Sequence, residues 1–178
     1  MTRILLISGS TRNGSTNTAA LRTVAAVAPP GIETHLYDGL RALPAFVPGA
    51  DPDDYPEVTA LRAELGAADA VLICTPEYAG TLPGSMKNLL DWTVGTADLH
   101  EKPTAWLTVA APGRGEGAVA TLATVLGYVG AEVVERACAR VPVLGADIAA
   151  DGLVPAPEFR AVASGVLAEL AAHLASRV

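Results

Sequence analysis

The sequence predicts an α/β fold in three layers, a five-stranded parallel sheet of strand order 2-1-3-4-5 between two layers of helices. Short apolar segments alternate with amphipathic ones along the chain, as in successive βαβ units. Segment 69–75 is continuously apolar, which is typical of a strand covered on both faces. Unusual polar and glycine-rich loops follow the first, third and fourth strands, where a doubly wound sheet places its ligand site.

Five segments are expected to form the sheet. The first, 3–8, is apolar and ends in a polar loop, whereas the second, 32–37, is more polar, as expected near a sheet edge. The third is 69–75. The fourth is 103–110, and 132–143 holds a fifth strand that we expect to be irregular.

Five amphipathic segments are expected to be the helices between these strands. They cover 15–28, 55–67, 84–95, a stretch from Gly117 to about Gly130, and 156–177. Ser15 or Thr16 is the expected cap of the first, and Pro29-Pro30 ends it. The last helix has one apolar face, made of Phe159, Ala163, Val166, Leu170 and Leu174. Segment 39–54 is a long loop, and such loops are often functional.

Composition bounds the class of protein. The 178 residues, 51% of them hydrophobic and 17% charged, suit one domain over 1–178 with a sizeable core. The net charge of −7 and the lack of a basic run argue against a nucleic-acid partner. No apolar run reaches the roughly 20 residues of a membrane span, and the first run is too short for a signal peptide. We therefore expect a cytoplasmic protein without a membrane partner.

The cysteines and histidines indicate no metal site. Cys74 and Cys138 form no CxxC motif, and the three histidines lack the spacing of zinc ligands. Cys74 lies in the apolar third strand, so we expect it to be buried and reduced.

The loop after the first strand, 9–17 (GSTRNGSTN), has the residues of a phosphate site. Backbone N–H groups at the start of a helix attract anions. Phosphate oxygens can accept hydrogen bonds from the hydroxyls of Ser10, Ser15 and Thr16, and Arg12 supplies a positive charge. The loop lacks GxGxxG and GxxxxGK[ST], which argues against an ordinary Rossmann site and a P-loop. The alternative is an ordinary polar loop that caps a helix.

The loop after the third strand, 76–83, suits a flat ring. Its prolines stiffen it, and Gly80 lets the backbone approach a ring closely. Backbone amides and carbonyls can match the polar edge of an isoalloxazine, and Tyr78 could stack on the ring or line its pocket. The alternative is a proline-rich turn before a helix, with Tyr78 as a lid on the core.

Both loops resemble the motifs of the NAD(P)H-dependent FMN reductase family. The first motif, roughly GSxRxxSxN, is matched by Gly9-Ser10, Arg12, Ser15 and Asn17. The second, roughly PEYNxSxPGxxKNxxDW, is matched by Pro76-Glu77-Tyr78, Pro83-Gly84, Lys87-Asn88 and Asp91-Trp92. The resemblance implies a flavodoxin-like fold that holds FMN and passes hydride from NADPH or NADH to an acceptor: a quinone, azo or nitro compound, metal oxyanion or free flavin.

The resemblance also implies which residues hold FMN. The phosphate residues would be Ser10, Arg12, Ser15 and Asn17, and the ring residues Pro76, Glu77, Tyr78, Ala79 and Gly80. Beyond the resemblance, the hydroxyl of Thr16 is a further expected phosphate donor, and we expect Gly113 in the third loop to pass close to the ring. Three positions depart from the family: Ala79 stands where Asn is frequent, Thr81 stands where Ser is frequent, and the third loop has an Ala where relatives often carry Ser. Since the flavin carries the chemistry, no catalytic side chain is expected.

Several roles stay open at this point. Glu77 is favoured as a structural residue that caps the helix start or pairs with Lys87. Arg114 is either a ligand for a nicotinamide-cofactor phosphate or a solvated arginine, and Phe46 either lines the substrate pocket or anchors its loop.

The resemblance implies a homodimer or homotetramer whose subunits pack near helix 84–95. The candidate interface residues on this helix are Met86, Leu89 and Trp92, although an apolar stripe of this kind more often faces the core of its own chain. Two other functions remain. One is a flavodoxin-type electron carrier, whose phosphate loop usually reads [ST]-x-[ST]-G-x-[ST]. The other is a flavin-free scaffold.

Overall fold

A parallel sheet forms the centre of the computed structural model, which describes residues 1–177. Its strands are β1 (Thr2–Ser8), β2 (Ile32–Tyr37), β3 (Ala70–Cys74), β4 (Pro103–Thr108), β5 (Glu132–Val133) and β6 (Ala139–Arg140). The order is β2-β1-β3-β4-β5, with every pair parallel, and β6 pairs with the end of β4. The predicted fold class and strand order are confirmed.

The prediction that the fifth strand is irregular is confirmed. Segment 132–143 is split into β5 and β6 by a single 3₁₀ turn, Glu135–Ala137. The N–H of Val134 still donates to Thr104, and the N–H of Val141 donates to Thr108, so the chain leaves the β4 ladder and rejoins it.

Five α-helices cover the sheet: α1 (Thr16–Ala26), α2 (Pro56–Ala67), α3 (Gly84–Trp92), α4 (Glu116–Tyr128) and α5 (Pro157–Ala175). The side chains of alternate strand residues point to opposite faces of the sheet and pack into two separate hydrophobic cores. The sheet therefore lies between two layers of helices. Leu6 and Leu72 pack under α1 and α5, whereas Leu5 and Ile73 pack under α2, α3 and α4. The loop 39–54 contains two short 3₁₀ turns, Gly39–Arg41 and Pro52–Asp54.

Helix α3 is covered within its own chain. Met86, Leu89 and Trp92 are buried, so these side chains are core and offer no exposed interface. The loop 39–54 supplies part of the cover: the ring of Phe46 meets Trp92 edge-to-face at 5.1 Å, and the indole Nε1 of Trp92 donates to the carbonyl of Pro44. Phe46 therefore anchors its loop, as one of its two interpretations proposed.

Cys74 is buried and has no disulfide, as expected. Its thiol donates to Oδ1 of Asn17 at 3.3 Å, and burial raises the pKa of the thiol. Within residues 1–177, no helix is long and apolar enough to cross a membrane. The same residues contain no cluster of three or more His, Cys, Asp or Glu side chains that could hold a metal ion.

Candidate cofactor site

The loops after β1 and β3 meet because their strands are neighbours in register. Ser8 pairs with Cys74 at the end of the ladder, and the N–H of Gly9 donates to the carbonyl of Cys74 at 2.9 Å. A methyl group on Gly9 would lie 2.6 Å from Cβ of Thr75, so only glycine allows this approach. The two predicted cofactor loops therefore start in contact.

The β1 loop wraps around the N-terminus of α1. Ser15 is the helix cap, and its Oγ accepts from the N–H of Asn17 at 3.2 Å. Ser10 Oγ accepts from the N–H of Arg12 at 3.3 Å. Ser15 and Asn17 are buried, Ser10 and Thr16 are partly exposed, and Arg12 is exposed. The loop combines a helix N-terminus with a free guanidinium, which is the chemistry that holds a phosphate.

Arg12 is available for an anion. Among the described residues, no carboxylate lies within 4.0 Å of its guanidinium. Two buried side chains of the loop accept hydrogen bonds, Ser15 Oγ from the N–H of Asn17 and Asn17 Oδ1 from the thiol of Cys74. These contacts position the loop, and the side chain of Arg12 is exposed.

The β3 loop forms a tight turn at the edge of the site. Tyr78 and Thr81 exchange backbone hydrogen bonds of 3.0 and 3.1 Å, with Ala79 and Gly80 between them. Both central residues have left-handed φ values, 50° and 77°. Tyr78 is 50% exposed, so it is not a lid on the core. Its ring is free to contact a ligand.

The alanine at this turn is strained, which gives a first prediction. An L-residue in the left-handed region costs about 1 kcal/mol, whereas Asn tolerates it. We expect Ala79→Asn to raise the free energy of unfolding by about 0.5–1 kcal/mol and Ala79→Val to lower it by about 1 kcal/mol or more. Urea unfolding of the three proteins measures this. Equal stabilities for Asn and Val would contradict the turn geometry.

Glu77 caps a helix, but a distant one. Its Oε2 accepts from the N–H groups of Gly117 at 2.8 Å and Ala118 at 3.2 Å, in the first turn of α4. The predicted cap is therefore on α4, and the alternative pairing with Lys87 is wrong: Lys87 pairs with Asp91 at 2.6 Å. β3 and β4 are neighbours, so the loop after β3 faces the helix that follows β4.

Two further contacts hold the β3 loop against α4. A methyl group on Gly117 would overlap the carbonyl oxygen of Gly80 and lie 2.9 Å from its carbon. The hydroxyls of Thr81 and Thr121 are 2.8 Å apart, and Thr121 donates to the carbonyl of Gly117. We call Glu77, Gly80, Thr81, Gly117 and Thr121 the loop latch.

The third loop borders this latch. Gly113 and Gly115 have left-handed φ values of 75° and 90°, and Gly115 precedes α4. The side chain of Arg114 is exposed, and its carbonyl accepts from Arg140 at 2.9 Å. The chain thus presents two exposed glycine turns, one at Ala79 and Gly80 within the latch and one at Gly113 before α4. Sequence reasoning missed Gly117 and Thr121, although Gly117 ends a glycine-rich stretch.

The arrangement fits one FMN. A charged helix start follows β1, and a turn with accessible backbone follows β3, next to a second glycine turn after β4. A phosphate suits the first feature and a flat ring with hydrogen-bonding edges suits the other two. Ser10, Arg12 and Ser15 also line a cavity of about 500 Å³ that extends toward the end of β2.

The chain is similar to known proteins in sequence and in fold. The family model described as NADPH-dependent FMN reductase matches residues 2–142. The chain is 39% identical over 95 residues to an NAD(P)H-dependent FMN reductase of Pseudomonas aeruginosa, covering 51% of this chain and 49% of that protein. It is 35% identical over 115 residues to an NADPH azoreductase of a Bacillus species, covering 64% and 61%.

The match thus spans about half the length of the first of these relatives and three-fifths of the second. Among solved structures, the flavoenzyme NAD(P)H:(acceptor) oxidoreductase of Paracoccus denitrificans superposes with a TM-score of 0.81 and 26% identity. That comparison covers 97% of this chain and 99% of the other.

Proposed function

The chain belongs to the NADPH-dependent FMN reductase family, and on that premise we propose that it binds FMN and passes hydride from NADPH or NADH to a small-molecule acceptor. The observation that carries this proposal is the contact between two loops of complementary chemistry. The β1 loop offers a helix N-terminus and the free Arg12, and the β3 loop offers accessible backbone one strand away. One phosphorylated ring compound satisfies both.

The phosphate end is assigned to the β1 loop. Arg12 supplies the charge, and Ser10 and Thr16 supply hydroxyls beside the helix amides. Ser15 and Asn17 hold the loop through contacts in which their oxygens accept, and the hydroxyl of Ser15 and the amide NH2 of Asn17 keep donor hydrogens for the phosphate. The proposal therefore keeps all five residues of the phosphate set.

The ring end is assigned to Pro76–Gly80 and to the turn at Gly113. FMN, when bound, accepts hydride at its ring and passes it on. The chain positions the ring by backbone amides and leaves one face open to substrate. Glu77 is engaged with two amides of α4, which agrees with a positioning role rather than an acid–base one.

A quinone or an azo compound is the acceptor we propose, because a relative is named NADPH azoreductase and others are named quinone reductases. We retain a single domain over 1–178, a cytoplasmic location and a homodimer or homotetramer as proposals. The buried side of α3 cannot supply the oligomer interface, so other surfaces would have to form it.

The test is a visible spectrum of the purified protein with FMN, followed by anaerobic NADPH. A bound flavin that bleaches at catalytic rates supports the proposal. FMN that binds but is reduced no faster than free flavin indicates the electron carrier instead. Absence of binding at micromolar FMN refutes both functions.

A substitution of Arg12 tests the proposed phosphate contact most directly. We expect Arg12→Gln to weaken FMN binding about tenfold, because one charge-assisted contact to the phosphate is lost. Riboflavin, which lacks the phosphate, should bind the variant and the parent equally. Arg160→Gln on α5 is the matched control. An equal loss for FMN and riboflavin would show that the variant disturbs the loop rather than a phosphate contact.

A further inference from the structure

Cys74 contacts the β1 loop, residues 9–17, at both of its ends. It is the last residue of β3, it pairs with Ser8 in the ladder, and its side chain is fully buried. The carbonyl of Cys74 accepts from the N–H of Gly9 at 2.9 Å, and its thiol donates to Oδ1 of Asn17 at 3.3 Å. One residue of the neighbouring strand therefore holds the first and the last residue of the phosphate loop.

Asn17 keeps two hydrogen-bond donors free at the start of α1. It is the second residue of that helix, and it is only 6% exposed. Within residues 1–177 its Nδ2 atom has no hydrogen-bond partner, yet this atom is not fully buried, so it reaches the surface of the loop. An amide NH2 carries two donor hydrogens. A buried side chain thus holds two unused donors at the helix end that attracts an anion.

The thiol determines which end of this amide faces the phosphate. Rotation about the terminal bond of an asparagine side chain exchanges its oxygen and its NH2 group. Burial raises the pKa of the Cys74 thiol, so the thiol stays protonated and donates to the oxygen. The NH2 group then points away from the thiol. The opposite orientation would present an oxygen to the phosphate oxygens, which repel it.

The other neighbours of Cys74 give the amide no preferred orientation. The thiol lies in the hydrophobic core beneath α1, with Leu6, Leu21 and Leu72. Apolar side chains do not distinguish the oxygen of an amide from its NH2 group. In the described chain, the thiol is the one group that bonds to the side chain of Asn17.

We propose that Cys74 is a positioning residue for the FMN phosphate and acts through Asn17, in a chain of hydrogen bonds from the thiol to the amide oxygen and from the NH2 group to the phosphate. The inference rests on the proposed function in one respect, the phosphate bound by the β1 loop. Each bond in such a chain polarises the next. A phosphate on the NH2 group therefore strengthens the bond from the thiol.

Binding of FMN and of riboflavin, which lacks the phosphate, tests the role of the thiol. We expect Cys74→Val, which has no donor, to weaken FMN binding about threefold and to leave riboflavin binding unchanged. Cys74→Ser keeps a donor and should restore the affinity for FMN. Cys138→Val is the matched control, because the thiol of Cys138 bonds to the carbonyl of Val134 and not to the loop.

Asn17→Ala completes a double-mutant cycle with Cys74→Val. Alone, it should weaken FMN binding about tenfold, because the two amide donors are lost. In that background Cys74→Val should add no further loss, since the thiol acts only through Asn17. Additive losses would show that Cys74 affects FMN binding by packing, and they would overturn the proposal.

Infrared spectroscopy gives a readout that a packing role would not change, and it leaves Cys74 intact. The S–H stretch lies in a region where other protein groups do not absorb. The chain has two cysteines, so Cys138→Val leaves Cys74 as its only thiol. In this protein FMN or inorganic phosphate should lower the S–H frequency, whereas riboflavin should not. Asn17→Ala should abolish the shift.

Several results would contradict the positioning role. An S–H frequency that does not respond to FMN or phosphate overturns it, as does Cys74→Val with the parent's affinity for FMN or with equal losses for FMN and riboflavin. A chain that binds neither FMN nor phosphate refutes this role and the proposed function together. A frequency shift in a protein whose FMN is not reduced by NADPH supports the role of Cys74 and refutes the reductase.

Discussion

We expect Gly117→Ala to lower the free energy of unfolding by about 2–3 kcal/mol and to weaken FMN binding about tenfold or more. The added methyl group would overlap the carbonyl oxygen of Gly80 and lie 3.1 Å from Oε2 of Glu77. The first obstacle is backbone, which cannot move without displacing the turn at Ala79 and Gly80. The substitution therefore forces the β3 loop away from α4 and disturbs the proposed ring site.

Gly127 offers a control on the same helix. No atom lies within 4 Å of a methyl group placed there, and its backbone is helical. Alanine at this position should raise the free energy of unfolding by about 0.5–1 kcal/mol, since glycine is a poor helix former. Replacing glycine by alanine is therefore expected to lower the free energy of unfolding at position 117 and to raise it at position 127. Urea unfolding of the apoprotein and fluorescence titration with FMN measure both effects.

A stable Gly117→Ala protein with unchanged FMN affinity would show that the β3 loop can shift away from α4 without loss of stability or of FMN binding. A protein destabilised as expected, but with FMN affinity unchanged, would separate the latch from the flavin site. Stabilisation by Gly127→Ala in either case confirms that the measurements resolve changes of this size.

The fold could be predicted from sequence because its signals are local. Continuous apolar segments mark β1 and β3, since a strand covered on both faces needs no polar residue. Ser15 was predicted as a cap because capping involves residues two or three positions apart. The meeting of the two cofactor loops follows from strand order, which places the ends of β1 and β3 side by side.

The partners of individual side chains could not be predicted in the same way. Glu77 bonds to amides 40 and 41 residues away, and no periodicity in the sequence encodes that contact. The role of Phe46 stayed open between two interpretations for the same reason, because its contact with Trp92 depends on how the loop 39–54 folds back.

The second large effect is expected at Glu77. Removing its carboxylate in Glu77→Ala leaves two amide donors of α4 without their acceptor, at a cost of about 2 kcal/mol in the free energy of unfolding. Loss of a negative charge at the N-terminus of α4 adds to the cost. We expect FMN affinity to fall as well, because the same side chain ties the β3 loop to that helix.

Two further variants separate the causes. Glu77→Gln keeps one oxygen that can accept from both amides, as Oε2 does, but lacks the negative charge, so it should retain more stability than alanine at the same position. Lys87→Ala tests the pairing that sequence alone allowed; because Lys87 bonds to Asp91, its loss should cost about 0.5 kcal/mol or less.

Hydrogen exchange on the apoprotein gives the direct readout for Glu77. The amides of Gly117 and Ala118 should exchange faster in Glu77→Ala, to a lesser extent in Glu77→Gln, and at the parent rate in Lys87→Ala. Unchanged protection of both amides in Glu77→Ala would refute the cap, whatever happens to FMN affinity. Faster exchange with FMN affinity intact would leave Glu77 as a stabilising residue with no part in positioning the ring.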